Sequence, residues 1–449
     1  MRTTIDFNGL TGTVVTREEV NYEISRTMWN RAIEKYPLAI VYCQTIEDVK
    51  NSIKWARKKE VPIRIRSGGH HYEGYSTGNE VLVIDVSQMN QITVDEANHQ
   101  VTVEGGARNR ALYEALGARG YAFPGGGCPT VGVAGFALGG GWGYSARYLG
   151  LGCDAIEQIT LVNYEGNLLV ASAKEHSDLF WALKGSGGGQ FGVIVSLTFK
   201  LPEKISEATL VRLEYSEVTR MEQIKMWQLW QESIQALPNE VNFKLSFYNS
   251  KEKGAGILLI GIYYGSQEEA WEVLTPFVKL GRKLQTLVQP MTVLEVNRWI
   301  QDAHPDYEHY KSSGRFVEEK LSEAQMEELL EGIQQRAEGS TYTALSCYGM
   351  GGKILEPNVQ SAAFYYRNSL YILGFQSVWE DNAYAPSNKD WFEERFEIIK
   401  SYTAGSFVNF PAQKLEDYRT AYYGAYKERL VAIRKQYDPE QVFGFEQGL

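Results

Sequence analysis

The sequence is poor in features that define several large classes of protein. Four cysteines in 449 residues, with no CxxC pair, argue against a disulfide framework. No uninterrupted apolar run approaches the roughly 20 residues that a membrane span needs. The 45 basic residues are outnumbered by 55 acidic ones, and the net charge of −10 argues against nucleic acid as a partner. We therefore expect a soluble protein that acts on a small molecule.

The first residues lack a targeting signal. The stretch from Met1 to Phe7 contains no apolar core of the kind that a secretory signal requires. Together with the few cysteines, this predicts a cytoplasmic protein. Association with a cell or spore surface is the alternative, and the oligomeric state is left open.

The motifs of several catalytic classes are also missing. The chain contains no HExxH motif and no P-loop, and no metal site is predicted. Residues Gly187 to Gly192 match the spelling GxGxxG, but a helical stretch precedes them and a strand-like run, Val193 to Phe199, follows. A Rossmann site needs the opposite order, so this reading is rejected. We interpret His304 and His309 as surface residues on a polar loop.

Glycine, in contrast, is abundant and clustered. Between Gly117 and Gly152 it recurs among apolar residues with little charge. A flexible linker would be rich in serine and poor in valine, phenylalanine and tryptophan. Because glycine allows positive φ and close approach of the main chain, this density predicts backbone packed against a ligand.

The apolar periodicity predicts a mixed architecture. Thr45 opens a helix in which Ile46, Val49 and Ile53 follow the helical repeat and Asp48 completes a capping box. Beyond Leu201, charged helical stretches alternate with strand-like runs, which predicts a second domain. These runs are Phe243 to Tyr248, Ile257 to Tyr264 and Leu370 to Trp379. A last helix is predicted from Tyr422 to Tyr437.

Four segments, in order, resemble the berberine-bridge-enzyme-like FAD-linked oxidases. Residues 66–74 (Arg-Ser-Gly-Gly-His-His-Tyr-Glu-Gly) are similar to the first flavin loop of that family, and residues 127–132 with 139–143 are similar to the second. Residues 178–194 are similar to a third segment, and residues 437–447 to the closing signature. The resemblance implies an α+β fold. A discontinuous PCMH-type FAD-binding domain, 1–203 and 403–449, would accompany an α/β substrate domain, 204–402, built on an antiparallel sheet covered by helices.

The resemblance implies FAD attached covalently through His70 and Cys128. We expect the backbone amides around Cys128 and a helix starting at Val133 to favour its thiolate. The alternative is that Cys128 is a small buried apolar residue and His70 an ordinary loop histidine. The further residues expected to bind the cofactor are Arg66, Ser67, Gly68, Gly69, Ser76, Thr130, Val131, Gly132, Gly135, Gly139, Gly141, Gly192, Val193, Ile194 and Asn409.

The catalytic residues depart from the family pattern. Members of the family often use as the base a tyrosine that follows an asparagine, and here Phe410 follows Asn409. Members also carry a polar residue on another strand, and here Gly374 stands at that position. Gln376, on the same strand face, is the expected substitute for orienting the substrate. Tyr72 is the predicted base, with Arg367 or Lys311 as a positive neighbour that favours its ionised form.

Two functions follow from these residues. The first is an oxidase that transfers hydride from an alcohol, sugar or related metabolite to the flavin and then to O2, giving H2O2. In the resembled family a small residue at the position of Val131 tends to admit O2 to the flavin. The alternatives are a flavin-loaded structural or surface-layer protein with decayed catalytic positions, which Phe410 and Gly374 motivate, or a dehydrogenase that does not use O2.

Overall fold

The computed structural model describes residues 5–205, 207–280, 283–356 and 361–449. Residues 1–4 lie outside these ranges, and they belong to the stretch in which no targeting signal is predicted. Residues 206, 281–282 and 357–360, within the predicted substrate domain, also lie outside them. Within them, no helix is both long and apolar enough to cross a membrane.

In chain order the strands are β1 (Thr13–Thr16), β2 (Ala39–Tyr42), β3 (Ile63–Arg66), β4 (Leu82–Asp85), β5 (Ile92–Asp95), β6 (Gln100–Glu104), β7 (Ile156–Val162), β8 (Leu168–Ser172), β9 (Val193–Lys200), β10 (Glu207–Ser216), β11 (Val241–Ser250), β12 (Gly254–Tyr263), β13 (Leu284–Thr292), β14 (His309–Val317), β15 (Ser340–Gly349) and β16 (Tyr371–Trp379). The helices are α1 (Tyr22–Arg26), α2 (Ile46–Lys59), α3 (Asn109–Gly117), α4 (Val133–Leu138), α5 (Ala146–Leu149), α6 (Ser177–Leu183), α7 (Arg220–Ser233), α8 (Gln267–Leu274), α9 (Val293–Asp302), α10 (Glu323–Gly332), α11 (Ala385–Ser401), α12 (Tyr418–Tyr423) and α13 (Lys427–Tyr437).

The strands in the first half of the chain form two smaller sheets. The four-stranded sheet has the order β1-β2-β4-β3, with β4 parallel to both β2 and β3. The five-stranded sheet, β5-β6-β9-β7-β8, is antiparallel. Val41 of the first sheet, Ile53 of α2 and Val195 of the second belong to one buried cluster. This shared core joins the two sheets.

Helix α2 forms where the sequence predicts it. The Thr45 side chain accepts a hydrogen bond from the Asp48 backbone at 3.2 Å, and the Asp48 carboxylate accepts from the Thr45 backbone at 3.0 Å. This capping box satisfies backbone donors that the first helical turn leaves free. Val49 and Ile53 are fully buried, so the apolar stripe faces the core as expected.

The third sheet has seven antiparallel strands in the order β13-β10-β12-β11-β15-β16-β14. On β16, Phe375 stacks on Trp391 and Phe392 of α11, with ring centroids 5.3 and 4.9 Å apart. The next residue, Gln376, lines a cleft instead. Because successive side chains of a strand point to opposite faces, one face of this sheet packs on helices and the other faces the cleft. The predicted strands in β11, β12 and β16, and the α+β class, are confirmed.

The end of the chain returns to the smaller sheets. The continuous helix predicted from Tyr422 to Tyr437 is wrong, because Gly424 has a φ of +51° and separates α12 from α13. The Tyr437 hydroxyl then donates a hydrogen bond to Asp178 at 2.8 Å. Because the third sheet and its helices draw on residues from Glu207 to Ser401, we propose the division into 1–203 with 403–449 and 204–402.

Candidate active site

A cleft of about 470 Å³ lies between the loops of the smaller sheets and the open face of the seven-stranded sheet. This volume is within the range of about 300–1000 Å³ that is usual for small-molecule sites. The predicted site residues that line it are Ser67, Gly68, Gly69, His70, Tyr72, Ser76, Cys128, Val131, Gly132, Gly135, Gly192, Ile194, Gln376 and Asn409. The fold therefore brings most of the predicted set to one cavity.

Two glycines hold the loops of His70 and Cys128 against each other. A Cβ atom on Gly68 would lie 2.2 Å from the backbone nitrogen of Gly132. A Cβ atom on Gly132 would lie 2.4 Å from the Ser67 hydroxyl oxygen. Only glycine permits this approach of backbone to backbone. The contact places the two candidate attachment residues in the same wall of the cleft.

The His70 imidazole has a defined position and a neutral ring. Its Nε2 lies 2.8 Å from the Thr130 hydroxyl, and its ring stacks on Trp29 with centroids 5.0 Å apart. Burial lowers the pKa of His70 to about 3, and the charges of Arg108 and His304 act in the same direction. A neutral imidazole keeps one ring nitrogen with a free lone pair, as bond formation to carbon requires.

The Cys128 thiol contacts the same threonine. Its Sγ lies 3.9 Å from the Thr130 hydroxyl. Helix α4 begins at Val133 as predicted. Burial raises the pKa of Cys128, and the hydrogen bonds from Thr130 and the Val131 amide, which favour the thiolate as expected, oppose this only in part. The sulfur must therefore lose a proton when it forms a bond, since the thiolate is the nucleophile.

Five residues predicted to bind the cofactor lie behind the cleft wall. They are Arg66, Thr130, Gly139, Gly141 and Val193. Arg66 forms a buried ion pair with Asp85, and Val193 belongs to the core that joins the two smaller sheets. Gly139 packs so closely on Asn409 that a Cβ atom would lie 1.9 Å from its side-chain oxygen. These residues have structural partners, and their contact with a cofactor stays a prediction.

The cleft wall fits a flavin dinucleotide. Among the described residues, the buried Ser76 hydroxyl has no hydrogen-bond partner, although it lines the cleft. A Cβ atom on Gly135 would meet nothing within 4 Å, so the backbone at the start of α4 is open to a ligand. Ser76 and this stretch of backbone would hold polar groups of the cofactor, while His70 and Cys128 would hold its ring.

Tyr72 is packed in aromatic surroundings. Its ring is stacked on Phe410, with centroids 5.2 Å apart and planes 4° apart, and meets Tyr310 edge-on at 5.2 Å. Burial raises the pKa of Tyr72 well above its usual value, and Tyr348 adds to this. A hydrogen bond with Ser312 opposes the shift only in part. The Tyr72 phenol is therefore neutral in this environment, and it offers no phenolate to take up a proton.

The positive neighbours expected beside Tyr72 are engaged elsewhere. Lys311 forms a buried ion pair with Glu73, with nitrogen and oxygen 2.5 Å apart. Arg367 forms an ion pair with Asp154. The prediction that one of these cations would favour ionised Tyr72 is wrong.

The two departures from the family pattern lie on the sheet side of the cleft. Phe410 lies over Gly314 of β14, where a Cβ atom would come within 2.7 Å of its ring. Tyr348 of β15 lies over Gly374, since a Cβ atom there would lie 2.7 Å from the Tyr348 ring and 3.5 Å from its hydroxyl oxygen. Gln376 lines the cleft, as predicted from strand alternation.

The sequence analysis did not predict the cleft positions of Lys244, Glu308 and His304. Lys244 lines the cleft from β11, and the only sequence signal was one lysine within an apolar strand. Burial raises the pKa of Glu308 to about 7, against the opposing charge of Lys244. His304, predicted as a surface residue, keeps solvent contact at the cleft, yet the protein atoms around its ring lower its pKa.

Comparison with known proteins finds two families that match parts of the chain. The FAD binding domain family matches residues 37–172, which include His70 and Cys128. The berberine and berberine-like family matches residues 406–449, which include Phe410.

Similar proteins match along almost the whole chain. The FAD-linked oxidoreductase YgaK of Bacillus subtilis is 32% identical, covering 98% of this chain and 97% of its own. The monolignol oxidoreductase AtBBE-like 13 of Arabidopsis thaliana is 26% identical over 89% of this chain and 81% of its own. The structure of Physcomitrella patens BBE-like 1 superposes with a TM-score of 0.89, at 26% identity, covering 98% of this chain and 97% of that one.

The fold and the site define an FAD-dependent oxidoreductase with a PCMH-type FAD-binding domain. The chain belongs to the berberine-bridge-enzyme-like family of FAD-linked oxidases. The family and fold that the four sequence segments implied are thereby confirmed.

Proposed function

We propose that this protein is an oxidase with FAD attached through both His70 and Cys128. The observation that carries the proposal is the position of Thr130, whose hydroxyl lies 2.8 Å from Nε2 of His70 and 3.9 Å from Sγ of Cys128. One side chain thus contacts both candidate attachment residues in one wall of the cleft. A neutral imidazole and a thiol are the groups that such a double attachment requires.

When bound, FAD supplies the acceptor for a hydride from the substrate. The protein has to hold the substrate carbon against the flavin, take up its hydroxyl proton and keep water away. The aromatic side chains of Tyr72, Tyr310 and Phe410 form a tightly packed apolar wall suited to the last task. Gln376 faces the cleft beside them and would orient a substrate hydroxyl.

The proposed substrate is an alcohol, sugar or related hydroxylated metabolite. The cleft combines aromatic surfaces with few polar groups, as small-molecule sites do. The name of the Arabidopsis relative, a monolignol oxidoreductase, supports an alcohol as the reacting group.

The proposed electron acceptor is O2. Val131 lines the cleft three residues after Cys128, and its side chain is small enough to leave a path to the flavin. This supports H2O2 as the second product and favours an oxidase over a dehydrogenase.

Oxygen consumption tests this function. The holoprotein is mixed in air with benzyl alcohol, coniferyl alcohol, xylobiose and other short sugars, and both O2 and H2O2 are followed. The proposal predicts that at least one compound drives uptake of O2 with one H2O2 formed for each O2. Flavin reduction without O2 uptake would support a dehydrogenase. No reduction by any compound would support the structural-protein alternative.

A further inference from the structure

The residue that takes the hydroxyl proton is missing from its usual places. Phe410 has no group that accepts a proton, and Gly374 has no side chain. Tyr72 is stacked on Phe410, and burial raises its pKa well above the ordinary value. Oxidation of an alcohol by hydride transfer nevertheless requires a base within hydrogen-bond reach of the hydroxyl.

Tyr348 occupies the space above Gly374. Its hydroxyl oxygen lies 3.5 Å from the position that a Cβ atom of residue 374 would take, and it lines the cleft. The ring is held by Trp142, edge-on at 4.9 Å, and by Phe410, tilted at 5.4 Å. A phenol from β15 therefore fills the place from which a polar side chain of β16 would project.

Lys244 is the cation next to this phenol. Lys244 of β11 and Tyr348 of β15 are directly opposite in the strand register. The ammonium nitrogen lies 5.1 Å from the ring centroid. Burial disfavours the ammonium, but the phenols of Tyr348, Tyr144 and Tyr342 outweigh it and raise the pKa of Lys244. Lys244 therefore stays charged, with its ammonium over the ring of Tyr348.

We propose that Tyr348 is the catalytic base and Lys244 its positioning residue. The inference rests on the proposed oxidation of an alcohol. The substrate O–H bond breaks and its proton passes to the Tyr348 phenolate oxygen. The substrate C–H bond breaks and its hydrogen leaves with both electrons to oxidised FAD, so that the carbon–oxygen bond becomes a carbonyl. Substrate loses two electrons and flavin gains two.

Other ionisable groups of the cleft are less well placed. Burial raises the pKa of Tyr310 and of Tyr144, and in Tyr144 it does so despite the charge of Lys244. Glu308 is the carboxylate competitor, because it lines the same cleft. Glu308 lies in the link between α9 and β14, whereas Tyr348 lies over Gly374 of the sheet. A Glu308→Gln variant distinguishes the two.

The test is the rate of anaerobic flavin reduction by whichever panel compound reduces the wild-type holoprotein fastest. The variants are Tyr348→Phe, Lys244→Met, Lys244→Arg and Glu308→Gln. The matched control is Tyr263→Phe, which removes a phenol from β12 of the same sheet, where the ring packs in the core. Intact mass and the visible flavin spectrum of each variant establish that FAD is loaded as in wild type. The dependence of the rate on substrate concentration separates binding from chemistry.

We expect Tyr348→Phe to slow the limiting reduction rate by about 100-fold or more, the range of general-base catalysis, with little change in substrate affinity. The rise of the rate with pH should disappear in the same variant. Lys244→Met should slow reduction, Lys244→Arg should restore part of the rate, and Tyr263→Phe should match wild type.

Normal reduction of Tyr348→Phe would overturn the assignment and leave the oxidase proposal intact. Loss of reduction confined to Glu308→Gln would also overturn it, in favour of that carboxyl. A wild-type holoprotein that no panel compound reduces would overturn the assignment and the proposed function together.

Discussion

The ring of Tyr72 lies parallel to the ring of Phe410, with centroids 5.2 Å apart and planes 4° apart. The apolar ring of Phe410 thus covers one face of Tyr72, the residue predicted from the sequence to be the base. The stack helps to bury Tyr72, and burial is the main reason that its pKa is raised. We infer that Tyr72 shapes the cleft and contacts substrate, while proton transfer takes place at another residue.

Tyr72→Phe should therefore be a mild variant. The ring and its stack on Phe410 remain, and the hydrogen bond with Ser312 is lost. We expect anaerobic flavin reduction to slow by no more than about fivefold, the equivalent of one hydrogen bond of about 1 kcal/mol. Stopped-flow absorbance of the flavin measures this rate. A loss of about 100-fold or more, with FAD fully loaded, would restore Tyr72 as the base.

Thr130→Val should impair attachment of the flavin. The hydroxyl that orients both His70 and Cys128 is replaced by a methyl group of the same size, so the fold should be kept. We expect a larger fraction of protein with one bond or none after equal time with FAD, measured by intact mass. Thr130→Ser keeps the hydroxyl and serves as the control. Equal loading of the valine and serine variants would contradict this role.

Lys311→Met should destabilise the protein. Lys311 and Glu73 are both about 95% buried, and their ion pair joins β14 to the loop that carries Tyr72. Removing the cation leaves the buried Glu73 carboxylate without its ion-pair partner, which costs about 3–5 kcal/mol in the free energy of unfolding. Urea unfolding of the holoprotein measures the change.

The control for this ion pair is Lys400→Met. Lys400 pairs with Glu397 at 2.8 Å on an exposed part of α11. We expect a change of less than about 1 kcal/mol, as for other surface pairs. Equal effects of the two lysine variants would show that burial of the Lys311 pair has no energetic consequence.

Glu308 should make stability depend on pH. Burial raises its pKa from 4.5 to about 7 in the folded protein. Below pH 4.5 both folded and unfolded chains hold the proton; as the pH rises to 7, the unfolded chain releases it first. The free energy of unfolding of wild type should therefore fall by up to about 3 kcal/mol relative to that of Glu308→Gln between these pH values. It should fall no further at higher pH. A difference that does not change with pH would contradict the raised pKa.

Val131→Leu should separate the two half-reactions. The larger side chain narrows the path to the flavin without touching the proposed base. We expect reoxidation by O2 to slow by about tenfold or more, equivalent to about 1.4 kcal/mol, while anaerobic reduction continues. Rapid mixing of reduced enzyme with aerated buffer measures reoxidation. Unchanged reoxidation would show that Val131 does not control the access of O2 to the flavin.

Local patterns predicted much of the fold. The capping box at Thr45 and the apolar stripe of α2 depend on neighbouring residues, and the structure contains both. Strand alternation likewise places Gln376 in the cleft correctly. The break at Gly424 was missed because helical periodicity continues across it; a Cβ atom there would lie 2.2 Å from the Tyr365 ring, a contact between distant parts of the chain.

The sequence predicted only part of the candidate site, because the rest depends on contacts between distant parts of the chain. His70 and Cys128 lie in glycine-rich loops that the sequence displays. Tyr348 becomes a candidate only when β15 pairs with β16 and its ring crosses Gly374. Lys244 becomes its neighbour only through the pairing of β11 with β15. Such pairings between distant strands are set by tertiary structure, and no local pattern reveals them.

The most direct test of the account is the intact mass of the acid-denatured holoprotein, followed by peptide mapping around His70 and Cys128. The account predicts one FAD per chain, with the peptide of His70 and the peptide of Cys128 linked to the same flavin. A His70→Ala variant and a Cys128→Ala variant should each retain the other bond. An unmodified protein mass, with the flavin released on denaturation, would contradict the double attachment on which the proposed oxidase depends.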